Sequence, residues 1–123
     1  CRAALRAERG ARRRIAELNA VRAEAAQRTT DFYLALHLGR VYFGNIGSAD
    51  RLDFTVIGPA VNEVSRIMAL CSSVRRPLLM SARFADTVAG SADEAGAASL
   101  PLASVGRFAL KGVSAAQHLY TLA

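Results

Sequence analysis

Lysine is almost missing: the 123-residue chain holds it once, at Lys111, so arginine carries nearly all of the positive charge. Cysteine occurs only at Cys1 and Cys71. There is no CxxC and no second cluster of ligand type, which argues against a zinc site. No run of about 18 apolar residues occurs, so no helical membrane span is expected. No charged n-region, apolar h-region and cleavage site stand in succession, so a secretory leader is not expected. Paired with so few cysteines, that points to a reducing, cytoplasmic setting. The first aromatic is Phe32, so the basic segment before it offers no ring on which a base could stack. Internal repeats and low-complexity tracts are absent.

What is present is a foldable chain. Apolar residues make up 52% and charged residues 21%, which excludes a disordered polyelectrolyte. Its length fits one domain or a piece of one. It opens on Cys1 inside a helical pattern, and the expectation is a piece of a longer protein, with room for a sensor or membrane segment upstream. The net charge of +6 is uneven: residues 1–28 hold eight Arg against Glu8, Glu17 and Glu24. That excess reads either as a nucleic-acid or acidic-membrane patch or as a solvated helix face. The missing aromatics favour the solvated face, and no nucleic-acid partner is expected.

Hydrophobic spacing predicts a helix over 2–27, with Ala4, Ala7, Ala11, Ile15, Leu18, Val21 and Ala25 as its inward stripe. Phe32–Leu38 reads as a strand, interrupted at Gly39 and resumed over Arg40–Phe43. Gly44–Arg51, GNIGSADR, reads as a loop or hairpin tip. Asp53–Ile57 is the next strand. Gly58-Pro59 turns the chain, and Pro suits the first turn of a helix. The buried face of that helix is assigned to Ala60, Val61, Val64, Ile67, Met68 and Cys71. Residues 72–77 form a loop, Leu78–Met80 a strand, and Ser81 the N-cap of a helix through Val88. A mobile loop is expected over 89–99. Leu102–Leu110 and Gln117–Leu122 read as strands joined at Lys111-Gly112. This order argues for an α+β sandwich, with helices packed on a largely antiparallel sheet.

The informative segment is LDFTVIGPAVNEVSR, Leu52–Arg66. A strand, a tight turn and a helix start follow one another, and Asn62 and Arg66 then share one helix face about 5–6 Å apart. An amide and a guanidinium so placed can grip one polyanion at two points. Ligands of open α/β sheets sit beside such strand ends. On spacing alone Arg66 could equally be a solvated helix residue, Asn62 a turn partner and Lys111 a plain turn residue. Thr55 suits a strand whatever else it does. His37 reads as a strand histidine packed near Gly39, without a catalytic role.

HLGRVYFGNIGSADRLDFTVIGPAVNEVSRI, followed by the distal LKG, resembles the catalytic domain of class III nucleotidyl cyclases, the adenylate and guanylate cyclases. The similarity runs over nearly all of 1–123 and corresponds to the back two-thirds of such a domain. It implies a ferredoxin-like α+β sandwich with its front strands missing. It also implies a head-to-tail homodimer whose composite sites convert ATP to cyclic AMP and pyrophosphate. By position Asn62 matches the ribose-orienting Asn, and Arg66 the Arg that steadies transition-state charge. Thr55 matches a purine-reading residue, and Lys111 a polyphosphate-contacting Lys. The two divalent ions of the family, magnesium or manganese, are held by aspartates that precede this chain, so the chain alone is expected to be inactive. Pro59 departs from the Asp or Asn often found there, and the first helical turn accommodates it. The rivals are a guanylate cyclase, a catalytically silent dimerisation or regulatory module, and a basic nucleic-acid binder.

Overall fold

The computed structural model describes residues 1–48, 50–90 and 101–123, and for Leu52 the backbone alone. The element order is α1 (Arg2–Glu24), β1 (Leu34–Leu36), β2 (Tyr42–Ser48), β3 (Arg51–Ile57), α2 (Pro59–Ser73), β4 (Leu78–Ser81), α3 (Ala82–Gly90), β5 (Leu102–Phe108) and β6 (Gln117–Leu122). Four strands form a sheet in the order β1-β4-β6-β5, while β2 and β3 form a separate hairpin. The pair β1–β4 is parallel, and β4–β6 and β5–β6 are antiparallel. The chain is thus an α+β domain with helices packed on a mostly antiparallel sheet.

Alternation along the strands sorts the core into two layers. Leu78 and Met80 of β4 pack with Leu5 of α1 and with Phe84 and Val88 of α3. Leu79, between them in sequence, packs with Ile67 and Cys71 of α2 and with Leu119 of β6. Helices therefore cover both faces of the sheet. Full burial of one such Leu contributes about 1.5–3 kcal/mol, and Leu79 is 0% exposed. Cys71 behaves as a small core residue: its thiol is buried, 3.7 Å from the Leu34 carbonyl. Burial pushes its pKa up, so it is a poor thiolate.

Several sequence expectations are corrected. The inward face of α1 is Leu5 and Glu8, while Leu18 and Val21 are exposed. The reason is polar: Glu8 is paired with Arg12, and Arg12 reaches the Pro77 carbonyl at 3.0 Å. About two turns further along, Asn19 exchanges hydrogen bonds with Thr30. Of the expected stripe, Ala4 packs against the core and Ile15 is partly buried, while Ala7, Ala11, Leu18, Val21 and Ala25 face solvent. The helix ends at Glu24 rather than at residue 27. The GNIGS segment is not a loop: Tyr42–Ser48 pairs residue for residue with Arg51–Ile57. The strand expected over 32–38 contracts to Leu34–Leu36, because Phe32 lies under the Arg12 guanidinium, 4.5 Å from ring centroid to Cζ. Met68, placed on the buried face of α2, is half exposed. Of the loop expected over 89–99, Ala89 and Gly90 belong to α3, and residues 91–99 lie outside the described residues.

Gly39 stands in a close backbone approach to the start of α2. A Cβ built there would stand 2.6 Å from Ala60 Cβ at the start of α2 and 2.9 Å from His37 Nε2. Both neighbours are held, since Ala60 and the His37 side chain are buried. Gly39→Ala should therefore destabilise the chain by about 1–3 kcal/mol, the scale of overpacking a closed contact. A urea midpoint lowered with an unchanged m-value would show it, and an unaltered midpoint would refute the packing argument.

Candidate functional site

Two backbone features launch α2 toward the ligand side. Gly58 precedes the helix at φ 139, which favours glycine, and Pro59 occupies its first turn. Val61 and Asn62 both donate their amides to the Gly58 carbonyl, at 3.1 and 3.4 Å. On this start Asn62 and Arg66 stand one turn apart and both are exposed.

The third member arrives from the far end of the chain. Leu110 is 5% exposed and packs in the same cluster as Ile67 and Cys71 of α2. The turn after it is closed by Val113 N–H to the Leu110 carbonyl at 3.0 Å, with Gly112 at φ 78. That anchor holds Lys111 against α2. Two adjoining open concavities result, each of about 430 Å³, and Asn62, Arg66 and Lys111 line both of them. Neither Arg66 nor Lys111 has an ion pair among the described residues. Two unpaired cations and a free amide around one hollow make a receptor for a polyanion.

Thr55 lies elsewhere. It sits on β3 opposite Gly44, half buried, and lines neither concavity. The structure thus brings Asn62, Arg66 and Lys111 together and leaves Thr55 on the hairpin. Sequence reasoning missed Glu63 and Ser114, which line the second concavity. Glu63 could have been suspected, because a carboxylate adjacent to Asn62 cannot avoid the same end of the helix. The Ser65 hydroxyl also reaches a concavity but donates to the Val61 carbonyl at 2.9 Å, so it is already satisfied. Among the described residues no three His, Cys, Asp or Glu side chains converge as a metal site. These residues do not fit a resident divalent ion.

Behind Glu63 stands His37, with its side chain 7% exposed and Nε2 3.6 Å from the Glu63 carboxylate. Its Nδ1 is buried without a hydrogen-bond partner. Burial lowers its pKa from 6.5, the Glu63 carboxylate opposes that shift, and Arg83 of α3 adds to it. The imidazole is a packed neutral group behind the site.

No family model matches the chain. A stretch of 48 residues is 44% identical to the uncharacterized protein Rv1318c of Mycobacterium tuberculosis and, equally, to Mb1352c of Mycobacterium bovis. It covers 39% of this chain and 9% of each relative. Among solved structures, a bacterial light-regulated adenylyl cyclase superposes with a TM-score of 0.56 at 27% identity, over 70% of this chain and 22% of that one. The adenylyl cyclase CyaB from P. aeruginosa gives 0.55 at 26% identity, over 71% of this chain and 39% of that one. The chain thus shares its fold with bacterial adenylyl cyclases while spanning less than half of either solved chain. No helix among the described residues is long and apolar enough to cross a membrane.

His37 sets a pH dependence. Its folded pKa lies below 6.5, so on acidification the unfolded chain takes up the proton first. The stability contributed by neutral His37 is complete above 6.5 and is lost as pH falls from there toward the folded pKa. The melting temperature should drop across that window, and His37→Gln should flatten the drop. An equal slope in wild type and variant would place its origin elsewhere.

Proposed function

We propose that residues 1–123 are part of a nucleotidyl cyclase catalytic domain, and that the whole protein converts ATP to 3′,5′-cyclic AMP and pyrophosphate. The observation that carries this is the meeting of Asn62, Arg66 and Lys111 around one hollow, in a fold shared with bacterial adenylyl cyclases. In the reaction the ribose 3′-hydroxyl attacks the α-phosphorus and pyrophosphate leaves. Such transfer asks a protein mainly for positioning and charge stabilisation. Arg66 offers two donors in a fork to the α-phosphate as charge builds. Asn62 donates to or accepts from the ribose and fixes the sugar. Lys111 meets the polyphosphate as a point charge. The choice of adenine over guanine rests on Thr55, whose hydroxyl can accept from the adenine amino group. Because Thr55 stands on the hairpin, away from the hollow, it serves best in a site completed by a second chain.

The hairpin supports that second chain. Tyr42, Phe43 and Phe54 are 67%, 72% and 70% exposed, and the Phe43 and Phe54 rings lie 6.1 Å apart. A two-stranded ribbon is marginal by itself in water, and an apolar patch of this kind marks an interface. We assign it to a head-to-tail homodimer, in the cytoplasm, where ATP is supplied.

The test is cyclic AMP formation by the protein at its full natural length. Arg66→Ala should lower turnover about 10²-fold, the scale of removing one charge-stabilising donor, with a smaller effect on KM. Arg66→Lys should restore little, because the fork is lost. A raised KM at unchanged kcat, or no cyclic nucleotide from wild type, would overturn the reading. Separately, Phe43→Ser with Phe54→Ser should convert the dimer to a folded monomer in sedimentation. A dimer that persists would move the interface off the hairpin.

A further inference from the structure

A further hollow lies beyond the opposite end of β6 from Lys111, under α1, with a volume of about 390 Å³. Its lining includes Arg9 and Arg12 of α1, Arg76 from the α2–β4 connection, and Thr121 near the end of β6. The Asn62 site does not use it, and it absorbs part of the arginine excess that the sequence concentrates before residue 28.

The floor is built and electrically spent. Glu8, with a side chain 3% exposed, is paired with Arg12. A carboxylate so buried persists only when paired. Arg12 also donates to the Pro77 carbonyl at 3.0 Å and lies over the Phe32 ring. Its contact with Asp31 is long, at 3.5 Å, and on the solvent side. Glu8 and Arg12 therefore cancel, and neither guanidinium of the rim, Arg9 or Arg76, has a hydrogen bond or ion pair among the described residues.

The backbone fixes Arg76 there at a cost. Arg75 closes α2 at φ 52, a left-handed conformation in which glycine is usual. Its amide donates to the Ser72 carbonyl at 3.1 Å, and the Arg76 amide to the Cys71 carbonyl at 2.9 Å. Strain of this kind is kept where the surrounding structure determines it, and it clusters at ligand sites. The chain beyond the cap places Arg76 in the lining of the same hollow as Arg9.

We propose that this hollow binds a small phosphorylated molecule. Two guanidinium forks match phosphate oxygens bidentately, and the neutralised floor leaves their charge unopposed. The Thr121 hydroxyl can donate to a further oxygen, and the wall of Leu78 and Leu122 accepts a short carbon skeleton. The site stands independently of the cyclase reading.

The test is a titration of the isotopically labelled chain at low ionic strength, following the amides of Arg76, Leu78 and Thr121. Glycerol phosphate is the probe, and inorganic phosphate the comparison. Saturable shifts at these amides are expected, tighter with glycerol phosphate than with inorganic phosphate. Arg9→Ala with Arg76→Ala should weaken binding about tenfold, the sum of two partly exposed charge contacts. Arg66→Ala should leave these shifts unchanged, which separates this hollow from the one beside Asn62. Absence of saturation would overturn the proposal. So would an equal loss in Arg6→Ala with Arg14→Ala, which would show a diffuse arginine field instead of a site. Equal binding of the two probes would remove the role of the apolar wall and reduce the site to an inorganic-phosphate subsite.

Discussion

β4 is four residues long, and every one of them, Leu78 to Ser81, is buried. Such a strand cannot spare a polar face, so both of its sides must be covered. Leu78 and Met80 draw in α1 and α3, Leu79 draws in α2, and Ser81 turns its hydroxyl to the Phe84 amide as the cap of α3. β1 lies parallel beside β4 and β6 antiparallel. The elements that position Asn62, Arg66 and Lys111 are thus built around the same four residues. α2 carries Asn62 and Arg66 on the side turned away from Leu79. The Lys111 turn is pinned by Leu110 in the layer that Leu79 completes. The site is an indirect product of the two-sided burial of a strand that contributes no group to it.

Polar groups divide into those consumed by the fold and those left free. Arg12, Glu8 and Asn19 are consumed: they set the rotation of α1 and tie it to the connections before β1 and β4. Arg66 and Lys111 are left with water on an open concave surface. A cation kept unpaired in a hollow gains nothing for folding and repels its neighbour, so its value lies in a ligand of opposite charge. The same division, applied to α1, separates Arg12 from Arg9.

Much of this was legible in the chain. The short apolar run of LLMS, the glycine and proline before α2, and the spacing of Asn62 and Arg66 each state a local geometry. The element order could be read because turn residues punctuate it. Two things were hidden. The inward face of α1 was misread because a salt-bridged Glu–Arg pair looks polar in sequence, and only burial shows it to be an interior contact. The GNIGS strand was misread because two glycines weigh toward a turn, whereas pairing with Arg51–Ile57 overrides that weak preference. For the site, the approach of Lys111 to α2 depends on Leu110 entering a core built from residues about forty positions earlier, which no local pattern encodes. The side position of Thr55 follows from the hairpin standing apart from the main sheet.

The unbroken register of that hairpin, from Tyr42 opposite Ile57 to Ser48 opposite Arg51, limits how the protein can vary in length. One residue inserted within either strand would exchange the two faces of everything beyond it. Phe43, Phe54 and Val56, which share a face, would be parted from one another. An insertion of two would restore the faces but displace the partners. Length change is therefore tolerated only at the tip between Ser48 and Arg51, and the ribbon behaves as a ruler whose markings can be extended at one end only.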